Sequence, residues 1–164
     1  MTNQPAWLPP LVCLEDYKGD WPKYIEALYQ YFKADFIQSK TRFNSKQVGL
    51  KRYPLLDGKE ATFWHMTSKG KVETERIPDL RRCERIRWPR PMIEHHFEKE
   101  IKCWPNRHKG ENRIVIWFYE QDYVVILADR NDYVILWTSY MVTHDHERRK
   151  LQKEYEGSKK ADAA

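Results

Sequence analysis

His65 is the residue whose type and position best suit a proton-transfer catalyst. It stands in the segment 62–67, TFWHMT. A histidine can take a proton from a ribose hydroxyl or give one to a leaving oxygen near neutral pH. It can equally be satisfied inside a sheet by Thr67 or by backbone groups. The residues leave both roles open, and His65 is the candidate general acid or base.

A second feature is an arginine-rich segment, residues 76–90, RIPDLRRCERIRWPR. Its six arginines and two acids give a local net charge of +4, in a chain whose net charge is +5. The planar guanidinium suits bidentate contact with phosphate, and a neighbouring tryptophan can stack on a base. The nucleic-acid-binding candidates are Arg81, Arg82, Arg85, Arg87, Trp88 and Arg148. The alternative interpretation is a solvated helix face whose arginines pair with nearby acids: Glu73, Glu75, Asp79 or Glu84.

Three polar residues, Thr138, Ser139 and Tyr140, end the last apolar run of the chain. In a strand, Thr138 and Tyr140 lie on one face and Ser139 on the other. Hydroxyls there could orient a phosphate or donate a proton. Alternatively, the strand simply emerges into solvent before Thr143 caps a helix.

Metal and thiol chemistry have little support in the sequence. Adjacent histidines occur at 95–96 and near 144–146, but they point to different sides of a helix, and no second spaced cluster completes a tetrahedral set. The three cysteines, Cys13, Cys83 and Cys103, are widely spaced and form no metal knuckle. We therefore expect no metal and no cofactor.

Composition excludes several classes of protein. Hydrophobic residues make up 41% and aromatic residues 14% of the 164 residues, which excludes an intrinsically disordered chain. No apolar run nears the ~20 residues that cross a bilayer, and the first residues lack the features of a signal peptide. We expect a cytoplasmic protein with no membrane contact. The 6 glycines form no phosphate-binding loop, so a nucleotide-binding α/β fold is not expected.

The first two thirds of the chain predict helices around short strands. Asp20 is a helix N-cap, and apolar residues at helical spacing continue to about residue 33. Strands are predicted near 47–53 and at 62–67, the second from its aromatic and β-branched content. Pro78 opens a short helix with an apolar edge of Ile77, Leu80, Cys83 and Ile86. Pro89 ends that helix, Trp88 is extended, and Pro91 starts another helix that packs through Met92, Ile93, His96 and Phe97.

The last third predicts a meander and a helix. A short strand over 101–104 ends at Pro105, and 106–112 form a basic loop. Apolar segments at 113–119, 123–129 and 133–140 are separated by short polar joints, which indicates antiparallel hairpins covered on both faces. A helix over 144–156 begins at Thr143 and ends at Gly157, before a disordered tail. The fold class is α+β, with an antiparallel sheet and a C-terminal three-stranded meander packed against N-terminal, middle and C-terminal helices.

Several strings of the sequence resemble a family. FWHMTS, RRCERIRWPRPMIE and YVVILADRNDYVILWTSYMV, followed by HERRKLQKEYE, look like phage- and prophage-associated bacterial proteins that are similar to the barnase–EndoU–colicin–RelE (BECR) ribonuclease superfamily. The resemblance covers about residues 60–156 and includes the ending Thr138-Ser139-Tyr140. It implies a nuclease-like α+β core over 59–156, with 1–58 as an accessory extension and 157–164 as a tail, within one domain.

The resemblance implies metal-independent RNA cleavage, in which the 2′-hydroxyl attacks the adjacent phosphate and leaves a cyclic phosphate. His65 would match the acid/base position, Arg82, Arg85 and Arg87 would hold phosphate, and Thr138 and Tyr140 would line the same cleft. The partners implied are RNA and, for a toxin-like protein, a protein inhibitor or another phage or host protein. The alternative is a non-catalytic phage accessory protein that binds nucleic acid or protein through 76–90. His65, Arg85 and Tyr140 in one cleft would favour the enzyme, whereas a buried His65 with the arginines on a convex face would favour the binder.

Overall fold

The computed structural model describes residues 4–163, which fold as an α+β protein. Over this range the helices are α1 (Trp21–Phe36), α2 (Ala61–Thr67), α3 (Leu80–Glu84), α4 (Pro89–Glu94) and α5 (Asp145–Ala163). The strands are β1 (Arg42–Phe43), β2 (Lys46–Leu50), β3 (Ser68–Lys69), β4 (Ile77–Pro78), β5 (Ile101–His108), β6 (Glu111–Phe118), β7 (Tyr123–Asp129) and β8 (Val134–Met141). Short 3₁₀ helices span Leu14–Tyr17 and Glu73–Glu75.

The main sheet has six strands in the order β1-β2-β8-β7-β6-β5. Strands β5 to β8 form consecutive antiparallel pairs, so the predicted hairpins of the last third are confirmed. The wholly antiparallel sheet is wrong, because β2 runs parallel to β8. Strands β3 and β4 form a separate antiparallel pair.

The meander is one strand longer than predicted. β5 continues through Pro105 to His108, and the expected basic loop is the end of a hairpin that turns at Lys109 and Gly110. Proline fits here because β5 pairs only with β6 and is an edge strand, where a missing N–H costs no ladder bond. The hairpin therefore carries the basic residues of 106–112 on the sheet itself.

Both faces of the sheet are covered, as the apolar strands predicted. On one face, helices α1 to α4 build the larger core with Tyr24, Leu28, Phe32, Phe63, Met66 and Ile86 among its buried residues. On the other face, Leu151 of α5 packs with Trp104, Val115, Trp117, Val124 and Ile126. The region 1–58 is not separate from this core, since its described part supplies α1 and pairs β2 with β8.

Helix α1 begins as predicted and extends one turn further. Asp20 Oδ1 accepts a hydrogen bond from the backbone N–H of Lys23 at 3.1 Å, and Pro22 occupies the first turn. Tyr24, Leu28, Phe32 and Phe36 form its buried stripe.

The segment TFWHMT is helix α2 and not a strand. Phe63, Met66 and Thr67 recur at helical spacing and are buried, so the apolar positions fit a helix as well as they fit a pleat. Thr62 fixes the helix: its Oγ1 accepts from the backbone N–H of Lys51 at 2.8 Å and lies 3.1 Å from the carbonyl oxygen of Leu136. Tertiary contacts to β2 and β8 have outweighed the local β-propensity.

The arginine-rich segment is helical only over α3. Cys83 and Ile86 are buried, but Ile77 is 62% exposed and Leu80 44% exposed, so the predicted apolar edge is only half right. Trp88 is not extended: with φ −81° and ψ −37° it precedes Pro89 at the start of α4.

Helix α4 begins at Pro89, two residues before the predicted start, and ends at Glu94, so His96 and Phe97 lie beyond it. Met92 and Ile93 are buried as expected, but Phe97 is 72% exposed and does not pack.

The last helix is longer than its signals indicated. The carbonyl oxygen of His144 accepts from the N–H groups of Glu147 and Arg148, so the cap lies one residue after Thr143. The helix continues through Gly157, which is tolerated at a cost of about 1 kcal/mol. The disordered tail is therefore wrong for 157–163, and residue 164 lies outside the described residues.

Over residues 4–163, no helix combines the length and the apolar character needed to cross a membrane.

Candidate nucleic-acid site

His65 is a buried member of α2, with 7% of its surface exposed. Its Nε2 lies 2.7 Å from Oε1 of Glu73, and its Nδ1 lies 3.1 Å from the carbonyl oxygen of Trp137. Because a carbonyl oxygen only accepts, Nδ1 is the donor in that contact, and Nε2 faces the carboxylate. Both ring nitrogens are thus engaged, and the ring joins α2 to β8 and to the 3₁₀ helix at Glu73. This arrangement favours the structural role over the catalytic one.

The ionised carboxylate of Glu73 is stabilised by this histidine. Partial burial raises its pKa, but the hydrogen bond and charge of His65, together with Lys51 and Arg76, outweigh that effect and hold the pKa below its ordinary value. Nζ of Lys51 lies 3.6 Å from the same oxygen, Oε1. Glu73 is therefore the ionised, half-buried partner of a buried histidine.

Arg82 is a structural arginine. Its Nη1 donates to the carbonyl oxygens of His65 at 2.9 Å and Ser68 at 2.7 Å, and its Nε lies 3.3 Å from Oδ2 of Asp79. The last contact is close enough for an ion pair, although Nε is not aligned for a hydrogen bond. Burial lowers the pKa of Arg82, against the opposing effect of Asp79. Arg82 therefore closes the C-terminal end of α2.

The remaining residues of the arginine-rich segment do not form a phosphate site together. Nη1 of Arg85 donates to the carbonyl oxygen of Arg81, and its guanidinium lies 5.0 Å from the ring centroid of Trp88. Arg87 lies 4.9 Å from the ring centroid of Tyr31, while Arg81 is exposed.

Trp88 cannot stack on a base, because it is only 2% exposed and its Nε1 donates to the carbonyl oxygen of Pro9 at 3.0 Å. The alternative interpretation, in which the arginines find their partners within the protein, therefore fits most of the arginine-rich segment.

Arg148 is also held internally. Its Nε and Nη2 donate to the two carboxylate oxygens of Asp122 at 2.9 and 2.5 Å, and its Nη1 donates to Asp145. These two acids raise the pKa of Arg148. The residue ties α5 to the turn before β7 and stands apart from Thr138 and Tyr140.

Thr138 and Tyr140 do share a cleft, as expected. It lies between the sheet and α5, has a volume of about 380 Å³, and is called the α5 cleft below. Its remaining lining residues are Asn106, Arg107, His108, Arg113, Val115, Ile126, Glu147, Lys150, Leu151 and Glu154. Ser139 is buried on the opposite face, which confirms the predicted alternation. His65 and Arg85 do not line this cleft.

Three cations line the α5 cleft from two sides. Arg107 and Arg113 come from the β5–β6 hairpin, and Lys150 comes from α5; Glu147 and Glu154 offset part of this charge. The Nε atom of Arg113 is buried and has no hydrogen-bond partner within the part of the chain that the structure describes. A buried, unpaired guanidinium N–H is costly, and an anionic oxygen would satisfy it.

Tyr140 is suited to donate a hydrogen bond in this cleft. Burial, followed by the charges of Glu147 and Glu154, raises the pKa of its hydroxyl to about 12. The hydroxyl therefore keeps its proton at neutral pH. Thr138 adds a second hydroxyl, whose Oγ1 lies 3.4 Å from the carbonyl oxygen of His65.

These groups could hold and react with a phosphodiester. Arginine and lysine offset the charge on phosphate oxygens, and a carboxylate and an imidazole can exchange protons with a substrate. Glu147, Glu154 and His108 are the groups of this kind at the cleft.

Sequence reasoning missed the cationic half of the cleft. The signal was present, because Arg113 begins the apolar segment 113–119, and its next same-face residues, Val115 and Trp117, align across β7 with Thr138 and Tyr140. In the sequence, Pro105 predicts the end of β5, and the basic run at 106–108 therefore resembles a loop.

Among residues 4–163, no group of three or more His, Cys, Asp or Glu side chains is placed to hold a metal ion. Comparison with protein-family models, with curated proteins and with solved structures finds no match to the chain. The resemblance to BECR ribonucleases therefore stays a prediction.

Proposed function

We propose that the protein is an endoribonuclease that binds RNA in the α5 cleft and cleaves it without a metal. One observation carries this proposal: Arg107, Arg113 and Lys150 line the same cleft as His108 and the hydroxyls of Thr138 and Tyr140. The three cations supply the charge that a metal would otherwise offer to a phosphodiester. The site differs from the one centred on His65 that the sequence predicted.

The proposed reaction is an internal transesterification. Glu147 takes the proton of the ribose 2′-hydroxyl, whose oxygen forms a bond to phosphorus while the bond from phosphorus to the 5′-oxygen breaks. His108 gives a proton to that leaving oxygen. The products are a 2′,3′-cyclic phosphate and a 5′-hydroxyl, and the protons balance.

The other side chains serve the phosphate. Arg113 and Lys150 stabilise the negative charge of the phosphorane, and Tyr140 donates a hydrogen bond to one of its oxygens. The buried unpaired Nε of Arg113 gives this arginine the strongest reason to bind an anion.

The alternative function, binding through 76–90 without catalysis, has less support. In that segment Arg82 and Arg85 donate to backbone carbonyls, and Trp88 is buried. Binding in the α5 cleft without cleavage is the form of the alternative that the experiment below would reveal.

The test is cleavage of a labelled single-stranded RNA in EDTA by purified protein and its variants. We expect cyclic phosphate ends, a loss of about 10²–10⁴-fold in H108Q and a loss of about 10²–10³-fold in R113Q. Y140F should lose less. R81Q is the matched control, since it removes an exposed arginine of the arginine-rich segment and should leave the rate unchanged. Wild-type protein that leaves RNA intact from pH 5 to 9, with and without divalent metal, would refute the proposal.

A further inference from the structure

Trp137 lies on the α5 face because of an irregularity in β8. Ile126 of β7 pairs with Thr138, but the next residue, Leu127, pairs with Leu136, so Trp137 is an extra residue in the strand. Such a bulge lets two successive side chains leave the strand on the same side. Trp137 packs on the core beneath α5, and Thr138 lines the α5 cleft.

The indole of Trp137 is only partly buried, and two cations lie against it. Nζ of Lys51 is 5.3 Å from the ring centroid, and the guanidinium carbon of Arg113 is 6.0 Å from it. Arg113 also lines the α5 cleft. A partly exposed aromatic ring with an arginine against it, beside a cationic cleft, is the arrangement by which proteins hold single-stranded nucleic acid.

His65 holds both the backbone and the ring of Trp137 in place. Its carbonyl oxygen accepts from Nδ1 of His65, and the His65 ring meets the indole edge-on at 6.4 Å. Trp137 is therefore held in place before any ligand binds, which lowers the entropic cost of binding.

We infer that Trp137 is a base-stacking subsite and that the substrate of the α5 cleft is single-stranded RNA. The nucleotide next to the bound phosphate stacks on the indole, and Arg113, which lies against the same ring, holds that phosphate. A duplex is excluded, because its bases are already stacked on one another. This inference rests on the proposed function, of which it names the substrate form.

The test is the affinity of the full-length protein for a labelled 2′-O-methyl oligonucleotide of ten residues, which cannot be cleaved at the 2′-oxygen. W137A should bind about 5- to 150-fold more weakly, which corresponds to about 1–3 kcal/mol for one stacked base. W137F should keep most of the affinity, and the matched control F97A, which removes an exposed aromatic ring away from the cleft, should keep all of it.

A second comparison does not depend on the fold of a variant. An oligonucleotide with a series of abasic positions should bind wild-type protein more weakly by a similar factor, and a duplex should bind more weakly still. Equal affinity for the normal and abasic strands, or for the duplex, would overturn the inference and leave the proposed cleavage standing. Tight, Trp137-dependent binding without cleavage of ordinary RNA would refute the proposed catalysis and keep the subsite. No binding of any strand would refute both.

Discussion

The pair of His65 and Glu73 provides the sharpest test of whether that histidine is structural. H65A removes a 2.7 Å hydrogen bond to a carboxylate and a 3.1 Å hydrogen bond to the Trp137 carbonyl. It also leaves Glu73 with Lys51 at 3.6 Å as its nearest cation and with Oε2 already buried and unpaired within residues 4–163. The Glu73 side chain is 29% exposed, so removing its partner costs less than in a fully buried pair, about 1.5–3 kcal/mol for a hydrogen bond to a charged group. For a chain of this length that lowers Tm by about 3–12 °C.

The assay is thermal or urea unfolding of wild type, H65A, E73A and the double variant. Because the two side chains are in direct contact, the double variant should lose less stability than the sum of the single losses, by about 1.5–3 kcal/mol. V72A changes an exposed neighbour and is the matched control. A Tm within about 2 °C of wild type in H65A, or a coupling energy near zero, would refute the structural role. H65A that keeps its Tm but loses RNA cleavage would restore the catalytic role.

The pH dependence of the same series has a defined sign. Glu73 has a pKa below its ordinary value of 4.5 in the folded protein. Its contribution is therefore complete above pH 4.5 and is lost as the pH falls through the folded pKa. The difference in free energy of unfolding between wild type and E73A should therefore decrease below pH 4.5.

Three further outcomes are expected elsewhere in the molecule. Burial raises the pKa of Asp35 to about 6 from 3.8, so wild type should lose about 1–3 kcal/mol relative to D35N as the pH rises from about 4 to above 6, in unfolding measured at each pH; an equal profile would contradict this. T62V should cost about 1–3 kcal/mol in urea unfolding, because the buried bonds of its hydroxyl are lost; no loss would contradict the role given to Thr62. Neutralising both Arg107 and Lys150 should flatten the log–log salt dependence of RNA binding by about one to two units, whereas R81Q should leave it unchanged; the reverse result would return binding to residues 76–90.

The last third of the fold could be predicted because its strands carry a strong local signal. Runs such as 123–128 are apolar at every position, and their joints are too short for anything but hairpins. The parallel pairing of β2 with β8 joins residues more than 80 positions apart, and nothing in the sequence of residues 46–50 predicts this pairing. TFWHMT was missed for a related reason, since its helix is stabilised by bonds from Thr62 to Lys51 and Leu136.

The candidate site was half predicted, because charge in the sequence does not show whether a cation is free. Arg82 stands in the most basic run of the chain, yet its donors are used by carbonyls that only the folded chain brings near it. Arg113 stands at the start of an apolar strand, yet it retains a buried N–H with no partner over residues 4–163. Local charge density thus indicates arginines such as Arg82 whose donors are used within the protein, whereas strand alternation indicates two hydroxyls that line the α5 cleft.

The bulge at Trp137 connects the structural role of His65 with the proposed RNA site. Without the extra residue, strict alternation would place Trp137 and Thr138 on opposite faces of the sheet, and either the indole or the hydroxyl would leave the α5 side. His65 binds the carbonyl oxygen of that same residue, and Thr138 lies within 3.4 Å of the carbonyl oxygen of His65. Under the proposed function the histidine acts on RNA binding without touching RNA, because it holds the strand irregularity that puts the indole and the hydroxyl on the α5 side of the sheet. Loss of RNA affinity in H65A should accordingly follow its loss of stability, whereas W137A should lose affinity while it stays folded.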